Sequence, residues 1–156
     1  KDLKLIHVGE KFKWNVPEWC KERIISVGRV PWDKMRDYYA TADIFVFCSL
    51  SEGFPNVILE AMASGLPIVT SDIEGIHEYI THLKEGYIYR RGDIEGLREG
   101  IEFMLKNPER ARKMGKNGRK KIKRINCERY FEKLLEFLEG ISREKARSVD
   151  LLSSKE

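Results

Sequence analysis

The chain of 156 residues is long enough for one globular domain with a core, and its 42% of hydrophobic residues excludes a disordered protein. No apolar run approaches the ~18 residues that span a bilayer, and no signal peptide is visible. The net charge is only +4, and three scattered cysteines match neither a metal site nor a disulfide framework, which favours a reducing cytoplasm.

The first third of the chain predicts three strands and one helix. The segment LKLIHVG is typical of a buried strand, and an irregular stretch, residues 10–22, separates it from a second strand, RIISVG. Proline opens the helical segment PWDKMRDYYATA, whose apolar face carries Met35, Tyr38, Tyr39 and Ala42. A third strand, DIFVFCS, has no polar side chain in its middle, which predicts burial on both faces.

The rest of the chain continues this alternation. A short helix, NVILEAMAS, is predicted with Asn56 as its N-cap and Gly65 as its stop. The strand LPIVTS, a helical turn in GIHEYI and the strand GYIYRR follow. Three helices are then expected: DIEGLREGIEFMLK with Asp93 as N-cap, PERARKMGKNGRKKIKRI, and CERYFEKLLEFLEGISREKAR. The apolar stripe of the first of these three comprises Ile94, Leu97, Ile101 and Leu105.

Buried strands that alternate with helices predict an α/β fold with a Rossmann-like parallel sheet flanked by helices. Ligands of such sheets bind at the carboxyl ends of the strands. We expect one domain over residues 1–147 and a polar tail over residues 148–156. Because the chain enters a strand at once and contains only about five strands, the sheet is expected to lack its first strand and helix.

Basic residues concentrate near the end of the chain. Between Lys106 and Arg129 there are eleven Lys or Arg but only two acids, Glu109 and Glu128. They form either the solvated face of amphipathic helices or a surface for a polyanion. No aromatic residues are interleaved as base stacking would require, so nucleic acid is not expected, whereas peripheral contact with an anionic membrane stays open.

The loop and helix SEGFPNVILEAMA combine features of an anion site. Gly53 allows a ligand close to the backbone, Pro55 stiffens the turn, and the free N–H groups of residues 56–59 with the helix dipole would seat a phosphate. Glu60 is a carboxylate in an apolar helix and needs strong donors, such as two ribose hydroxyls. Glu52, before the turn, could accept from a second polyhydroxyl ring, so the pattern suits a nucleotide sugar.

A second interpretation of the same residues stays open on chemistry alone. Glu60 could pair with a buried arginine, and Glu52 could be an exposed loop residue without a ligand. Two glutamates at this spacing do not by themselves distinguish the two interpretations.

The segment SEGFPNVILEAMASGLPIV closely resembles the signature of the retaining nucleotide-sugar glycosyltransferases of group 1, also called family 4. That family carries two glutamates with seven residues between them, then Ala-Met-Ala, Gly, and Gly-x-Pro before a strand, which matches Glu52, Glu60, residues 61–63 and residues 65–67. The resemblance extends over roughly residues 3–140. It departs in SDIEGIHEYI, where Glu-Gly stands in place of the usual paired Gly.

The resemblance implies a GT-B enzyme with two Rossmann-like halves, of which this chain would be the carboxyl-terminal, donor-binding half. Such an enzyme transfers a sugar from a UDP- or GDP-linked donor with retention of configuration, in the cytoplasm or peripherally at a membrane. No cofactor and no metal are expected, since no Asp-x-Asp motif occurs. The diphosphate-gripping Arg and Lys and the acceptor-binding half, which would be the partner, are absent, so we expect the 156 residues alone to be inactive.

Residue roles follow from the resemblance by position. Glu52 resembles the glutamate that contacts the donor sugar and is the catalytic candidate, whereas Glu60 resembles the one that holds the ribose. The other donor-binding candidates are Gly53, Phe54, Pro55, Asn56 and Val57 at the helix start, and Gly28, Arg29 and Val30 in the turn that meets the nucleobase.

Two other functions stay open at this point. The chain could belong to a nucleotide-sugar epimerase or phosphorylase of similar architecture. It could also be a non-catalytic module that binds a nucleotide sugar or another protein.

Overall fold

The computed structural model describes residues 3–10, 15–53 and 55–124. The chain separates into two compact units, Lys1–Arg119 and Lys120–Glu156. Every strand described below belongs to the first unit, and of the second unit only residues 120–124 are described. The helix predicted over residues 127–147 and the polar tail lie outside the described residues, so the predicted domain bounds stay predictions.

Strands and helices alternate along the described chain, and all paired strands are parallel. One sheet has the order β1-β2 and the other the order β3-β4-β5, so the prediction of a Rossmann-like α/β fold is confirmed. In chain order the elements are β1 (Leu5–Val8), α1 (Glu18–Lys21), β2 (Ile24–Gly28), α2 (Trp32–Thr41), β3 (Phe45–Phe47), α3 (Asn56–Ser64), β4 (Ile68–Ser71), α4 (Ile76–Tyr79), β5 (Gly86–Tyr89), α5 (Ile94–Lys106) and α6 (Pro108–Ile122).

Two local predictions are wrong. The stretch predicted to be irregular contains one helical turn, α1, which begins directly after Pro17. An ion pair between Glu18 and Lys21, with a distance of 2.5 Å, joins its two ends. Asn56 is not the N-cap of α3, because Pro55 occupies that position and Asn56 is the first helical residue. The stop of α3 is as predicted, since Gly65 takes a left-handed conformation with φ of 78° that glycine adopts without strain.

The three-stranded sheet contains the core of the first unit. Every residue of β4 is buried, since β4 lies between β3 and β5 and packs against α3 and α5. Helix α6 approaches so closely that a Cβ on Gly115 would overlap the carbonyl oxygen of Gly65. Gly115 therefore allows a backbone contact that fixes α6 against the turn between α3 and β4.

The two-stranded sheet is much more exposed than its sequence predicts. Leu5 and Ile6 of β1 keep 45% and 39% of their surface accessible, and Ile25 of β2 keeps 44%. The predicted strand at LKLIHVG is present as β1, but its predicted burial is wrong. Within the described residues β1 pairs only with β2, so its outer edge and much of its apolar surface remain uncovered.

Two further burial predictions need correction. Strand β3 is only half-buried, because it forms an edge of its sheet, and burial on both faces holds for β4 instead. Ile94 of the predicted α5 stripe is exposed, and the buried face runs through Gly100 and Met104. Helix and sheet meet closely there, since a Cβ on Gly100 would lie 2.7 Å from the Tyr87 ring. The predicted cap Asp93 is confirmed and accepts a 3.0 Å hydrogen bond from the Gly96 amide.

Candidate functional site

An open cleft of about 390 Å³ lies where the carboxyl ends of β1 and β2 face α2 and α3. Four of the residues predicted from the sequence line it, and four others were not predicted. The predicted ones are Arg29, Val30, Val57 and Glu60, and the others are Val8, Gly9, Trp32 and Met35.

Two glycines form the strand ends at this cleft. Gly9 and Gly28 have φ angles of +147° and +89°, and the Gly9 amide donates to the Gly28 carbonyl at 3.0 Å. Gly28 is itself buried, whereas the next two residues of the turn reach the cleft. The predicted nucleobase turn therefore borders the cleft through Arg29 and Val30, with Gly28 beneath them.

Glu60 has a partner that the sequence did not reveal. Its Oε2 accepts a 2.8 Å hydrogen bond from the hydroxyl of Tyr39 on α2, and its side chain is half-buried at the cleft. No ion pair between Glu60 and an arginine occurs in residues 3–10, 15–53 and 55–124, where its partner is this tyrosine. Burial of the phenol, and then its bond to Glu60, raise the pKa of Tyr39 well above its ordinary value, so the hydroxyl keeps its proton to donate.

The amino end of α3 is open in part. No side chain caps it, and the amides of Asn56 and Val57 have no hydrogen-bond partner among the described residues. The expectation of free amides over residues 56–59 is wrong for Ile58, whose amide donates to the Pro55 carbonyl at 2.9 Å. These two amides, without a partner in the part of the chain that the structure describes, lie at the positive end of a nine-residue helix. They form a candidate anion-binding site beside the cleft, which Val57 lines.

The loop that carries Glu52 is exposed but anchored. The Ser49 hydroxyl lies 3.0 Å from the Ser51 carbonyl and 3.1 Å from Glu52 Oε1, so its one proton is shared between these acceptors. The Ser49 carbonyl accepts a 2.6 Å bond from the Ser71 hydroxyl at the end of β4. Arg91, just after β5, donates to the Leu50 carbonyl at 3.1 Å. Glu52 does not line the cleft, and it lies at the carboxyl edge of the three-stranded sheet.

The other predicted positions of this segment differ in their surroundings. A Cβ built on Gly53 meets nothing within 4 Å, so the backbone there faces open space. Pro55 is buried, Asn56 is exposed, and Phe54 lies outside the described residues. The segment thus presents accessible backbone on either side of a fixed proline.

The arginines that follow β2 and β5 are partly engaged. Arg29 forms an ion pair with Glu10, Arg91 holds the loop, and Arg90 is exposed. Among the described residues, no group of three or more His, Cys, Asp or Glu could hold a metal ion. Within the same ranges, no helix is long and apolar enough to cross a membrane.

Two further residues of the site, Trp32 and Tyr39, were recognisable from the sequence although they were not assigned to the site. Trp32 follows the VGRVP turn, off the predicted apolar stripe of α2, and is 82% exposed while it borders the cleft. Tyr39 was assigned only to the apolar face, although a buried tyrosine hydroxyl needs a hydrogen-bond partner. Both positions could have been marked as polar or stacking contacts of the site.

The sequence profile of the family described as Glycosyl transferases group 1 matches residues 18–121. Among curated proteins, N-acetyl-alpha-D-glucosaminyl L-malate synthase of Bacillus anthracis is 31% identical over 132 residues, which are 78% of this chain and 33% of that protein. The chain therefore spans about a third of the length of this relative.

Solved structures share the fold. Sucrose-phosphate synthase of Thermosynechococcus elongatus superposes with a TM-score of 0.73 at 27% identity, over 80% of this chain and 31% of that one. The Anabaena protein Alr3699/HepE, in a complex with UDP-glucose, gives a TM-score of 0.73 at 20% identity, over 88% of this chain and 41% of that one. In each case the similarity covers well under half of the larger protein.

Proposed function

The chain belongs to the group 1 glycosyltransferases, and on that premise we propose that it binds the nucleotide-sugar donor of a retaining enzyme. The observation that carries the proposal is the state of Glu60. One of its carboxylate oxygens is held by Tyr39, and the other has no partner among the described residues although the side chain is half-buried at the cleft. A ribose offers two adjacent hydroxyls, which are suitable donors for such a carboxylate.

Each part of the donor has a matching feature. The nucleobase lies against Val30 and Trp32, the ribose hydroxyls donate to Glu60, and the diphosphate accepts from the open amides of α3. A cleft of about 390 Å³ falls in the usual range for small-molecule sites. The UDP-glucose complex of the similar Anabaena protein supports a nucleoside diphosphate sugar as the ligand class, with UDP and GDP as the two nucleotides to test.

In the proposed reaction the bond between the anomeric carbon and the diphosphate breaks, and a bond to an acceptor oxygen forms on the same face of the sugar. The proton of the acceptor hydroxyl passes to the departing diphosphate. Glu52 contributes by accepting hydrogen bonds from hydroxyls of the sugar, in an orientation that Ser49 stabilises. The amides of α3 stabilise the negative charge that develops on the diphosphate.

Transfer is proposed to need no divalent metal, because the open end of α3 supplies the diphosphate seat. Assays in the presence of EDTA should retain activity. Loss of transfer in EDTA that magnesium or manganese restores would show that the helix end is insufficient.

An acceptor-binding half is proposed to complete the enzyme, since the chain spans about a third of its curated relative. The carboxylates of Glu52 and Glu60 would repel a bound diphosphate. The repulsion energy between two like charges 4 Å apart is ~4 kcal/mol at an effective dielectric constant of 20. Arg29 and Arg91 are already engaged with Glu10 and with the loop. The 156 residues by themselves should therefore bind nucleotide sugar weakly and transfer none.

The proposal includes a cytoplasmic location with peripheral membrane contact through α6. Its exposed residues include six basic side chains that form no ion pair among the described residues: Arg110, Arg112, Lys113, Lys116, Arg119 and Lys120. Helix α5 differs, because its Arg98 and Lys106 pair with glutamates of the same helix. Unpaired basic side chains each contribute about 1 kcal/mol near an anionic surface.

Co-sedimentation with vesicles tests the membrane contact. Binding should rise with the phosphatidylserine content, fall with salt, and weaken in Arg112→Glu/Lys116→Glu. The control Lys34→Glu/Arg36→Glu changes the net charge equally on α2. Two results would contradict membrane contact through α6. One is binding that does not depend on lipid charge or salt, and the other is an equal loss of binding in the α6 and α2 double variants.

A ligand-detected NMR screen of the full-length protein against UDP-glucose, UDP-N-acetylglucosamine and GDP-mannose tests donor binding. We expect saturation transfer to at least one of them, with the strongest signals from the nucleoside. Epimerisation of the sugar without an acceptor would favour an epimerase. Binding without transfer to any acceptor would favour a non-catalytic module.

A further inference from the structure

Tyr39 holds the Glu60 carboxylate in one orientation at the cleft. The phenol hydroxyl donates to Glu60 Oε2 at 2.8 Å, and Tyr39 is only 6% exposed. Phe45 of β3 packs edge-on against the Tyr39 ring, with the ring centroids 5.9 Å apart. The ring therefore has little freedom to move, and its single proton is directed at one oxygen of the carboxylate.

The other carboxylate oxygen, Oε1, has no hydrogen bond to any residue that the structure describes. Helix α2 also lines the cleft through Met35, one turn before Tyr39, and through Trp32. Helix α2 thus lines the cleft and also restricts the rotation of the Glu60 side chain, which belongs to α3. Without the phenol, the carboxylate could turn about its side-chain bonds, and both oxygens would compete for the same donors.

We infer that Tyr39 is a positioning residue for ribose recognition, because its hydrogen bond to Glu60 aims the free oxygen of that carboxylate at the ribose hydroxyls. This inference rests on the proposed donor site. It adds a residue outside the signature segment, on a different helix, whose effect passes entirely through Glu60. A tyrosine that only filled space would support the nucleobase, ribose and diphosphate contacts alike.

The difference between these two roles is measurable as ribose discrimination. This quantity is the Kd for a 2′-deoxynucleoside diphosphate divided by the Kd for the ribonucleoside diphosphate. The ratio reports only the contribution of the 2′-hydroxyl to binding, and it does not depend on the fraction of active protein. General damage to the cleft weakens both ligands and leaves the ratio unchanged, whereas a misdirected Glu60 lowers the ratio.

The experiment is calorimetry on the full-length protein with UDP, GDP and their 2′-deoxy forms. Wild type should prefer the ribonucleotide, and Tyr39→Phe should lower that preference about threefold or more. The matched control is Tyr38→Phe, which removes the same atom from the neighbouring residue of α2, whose hydroxyl has no partner among the described residues. Thermal unfolding checks each variant, and Tyr39→Met, with an adaptable apolar side chain, replaces Tyr39→Phe if that variant does not fold.

A double-mutant cycle tests whether the effect passes through Glu60. In a Glu60→Ala background the ribose preference should be lost, and Tyr39→Phe should then change nothing further. If wild type binds and discriminates but Tyr39→Phe keeps the full preference, the positioning role is wrong while the donor site stands. If wild type binds neither nucleotide, or binds ribo and deoxy forms equally, the donor site as proposed is wrong and Tyr39 has no role in it.

Discussion

The three-stranded and the two-stranded sheets have similar apolar sequences but bury them to different extents. All four residues of β4 are inaccessible, whereas in the two-stranded sheet Ile6 and Ile25 each keep about two fifths of their surface exposed. Helices α3 and α5 pack on β4, and Gly115 brings α6 into backbone contact with the same region. The β1–β2 pair has no comparable cover within residues 3–10, 15–53 and 55–124.

The candidate site therefore has two parts, which we call the platform and the wall. The platform belongs to the well-packed three-stranded sheet, and the wall belongs to the less buried two-stranded sheet. The platform carries the Glu52 loop and α3, so the proposed sugar and phosphate contacts rest on the packed core. The wall consists of Val8 and Gly9 at the end of β1, and of Arg29, Val30 and Trp32 after β2. Changes in the platform should therefore alter stability, whereas changes in the wall should alter nucleotide binding with little effect on folding.

The largest effect is expected where α6 touches the platform. Gly115→Ala would drive a Cβ into the Gly65 carbonyl, which cannot rotate away, and should destabilise the chain by about 3 kcal/mol or more. Gly118→Ala is the matched control, because its Cβ would lie 3.6 Å from Met62 in ordinary contact and should stabilise α6 by about 0.5–1 kcal/mol. Urea unfolding measures both. Equal stability of the two variants would contradict the backbone contact.

A matched substitution in the two sheets tests the comparison itself. Ile68→Thr in β4 removes buried volume and adds a buried hydroxyl, so a loss of about 2–4 kcal/mol is expected. Ile25→Thr in β2 affects a side chain that is already 44% exposed and should cost less than about 1 kcal/mol. Denaturant unfolding of both variants measures the two losses of stability. A larger loss at Ile25 would mean that the β1–β2 surface is buried in the folded protein.

Glu60→Gln should weaken nucleotide binding by about 1–3 kcal/mol, since an amide accepts hydrogen bonds from ribose less strongly than a carboxylate. Calorimetry on the full-length protein measures the change. Glu78→Gln serves as the control, because Glu78 is an exposed glutamate of α4 away from the cleft lining. Unchanged affinity in Glu60→Gln would exclude the ribose contact.

The smallest effect is expected at the wall. Trp32→Ala should weaken nucleotide binding about fivefold, at the low end of the range for a base that stacks on an aromatic side chain. Trp19→Ala is the control, since Trp19 is 75% exposed but does not line the cleft. Both variants should unfold at the wild-type denaturant concentration. Equal losses of affinity in the two variants would exclude a specific role of Trp32.

Periodicity and the end signals of helices predicted most elements from the sequence. Asp93 caps α5 and Gly65 ends α3, both as predicted. Such helix-end signals are readable from sequence because they depend only on residues a few positions away. Burial was less predictable, since it depends on which strands pair. Among the described residues, a similar apolar pattern gives a largely exposed β1 with one neighbouring strand and an inaccessible β4 with two.

Within the candidate site, the spacing of Glu52 and Glu60 and the resemblance identified the segment, and the cleft contains Arg29, Val30, Val57 and Glu60 as a group. Tyr39 could not be assigned in this way, because its contact joins residues 21 positions apart on different helices. The anchors of the Glu52 loop, Ser71 at the end of β4 and Arg91 just after β5, were likewise hidden, since they meet the loop only in the folded chain.

A structure of the full-length protein with the nucleotide sugar identified by the NMR screen tests the donor site most directly. The proposal predicts the ribose hydroxyls within hydrogen-bond distance of Glu60, the diphosphate at the amides of Asn56 and Val57, and the sugar facing Glu52. A nucleotide bound elsewhere, or bound in this cleft with its diphosphate away from the start of α3, would contradict the proposed site.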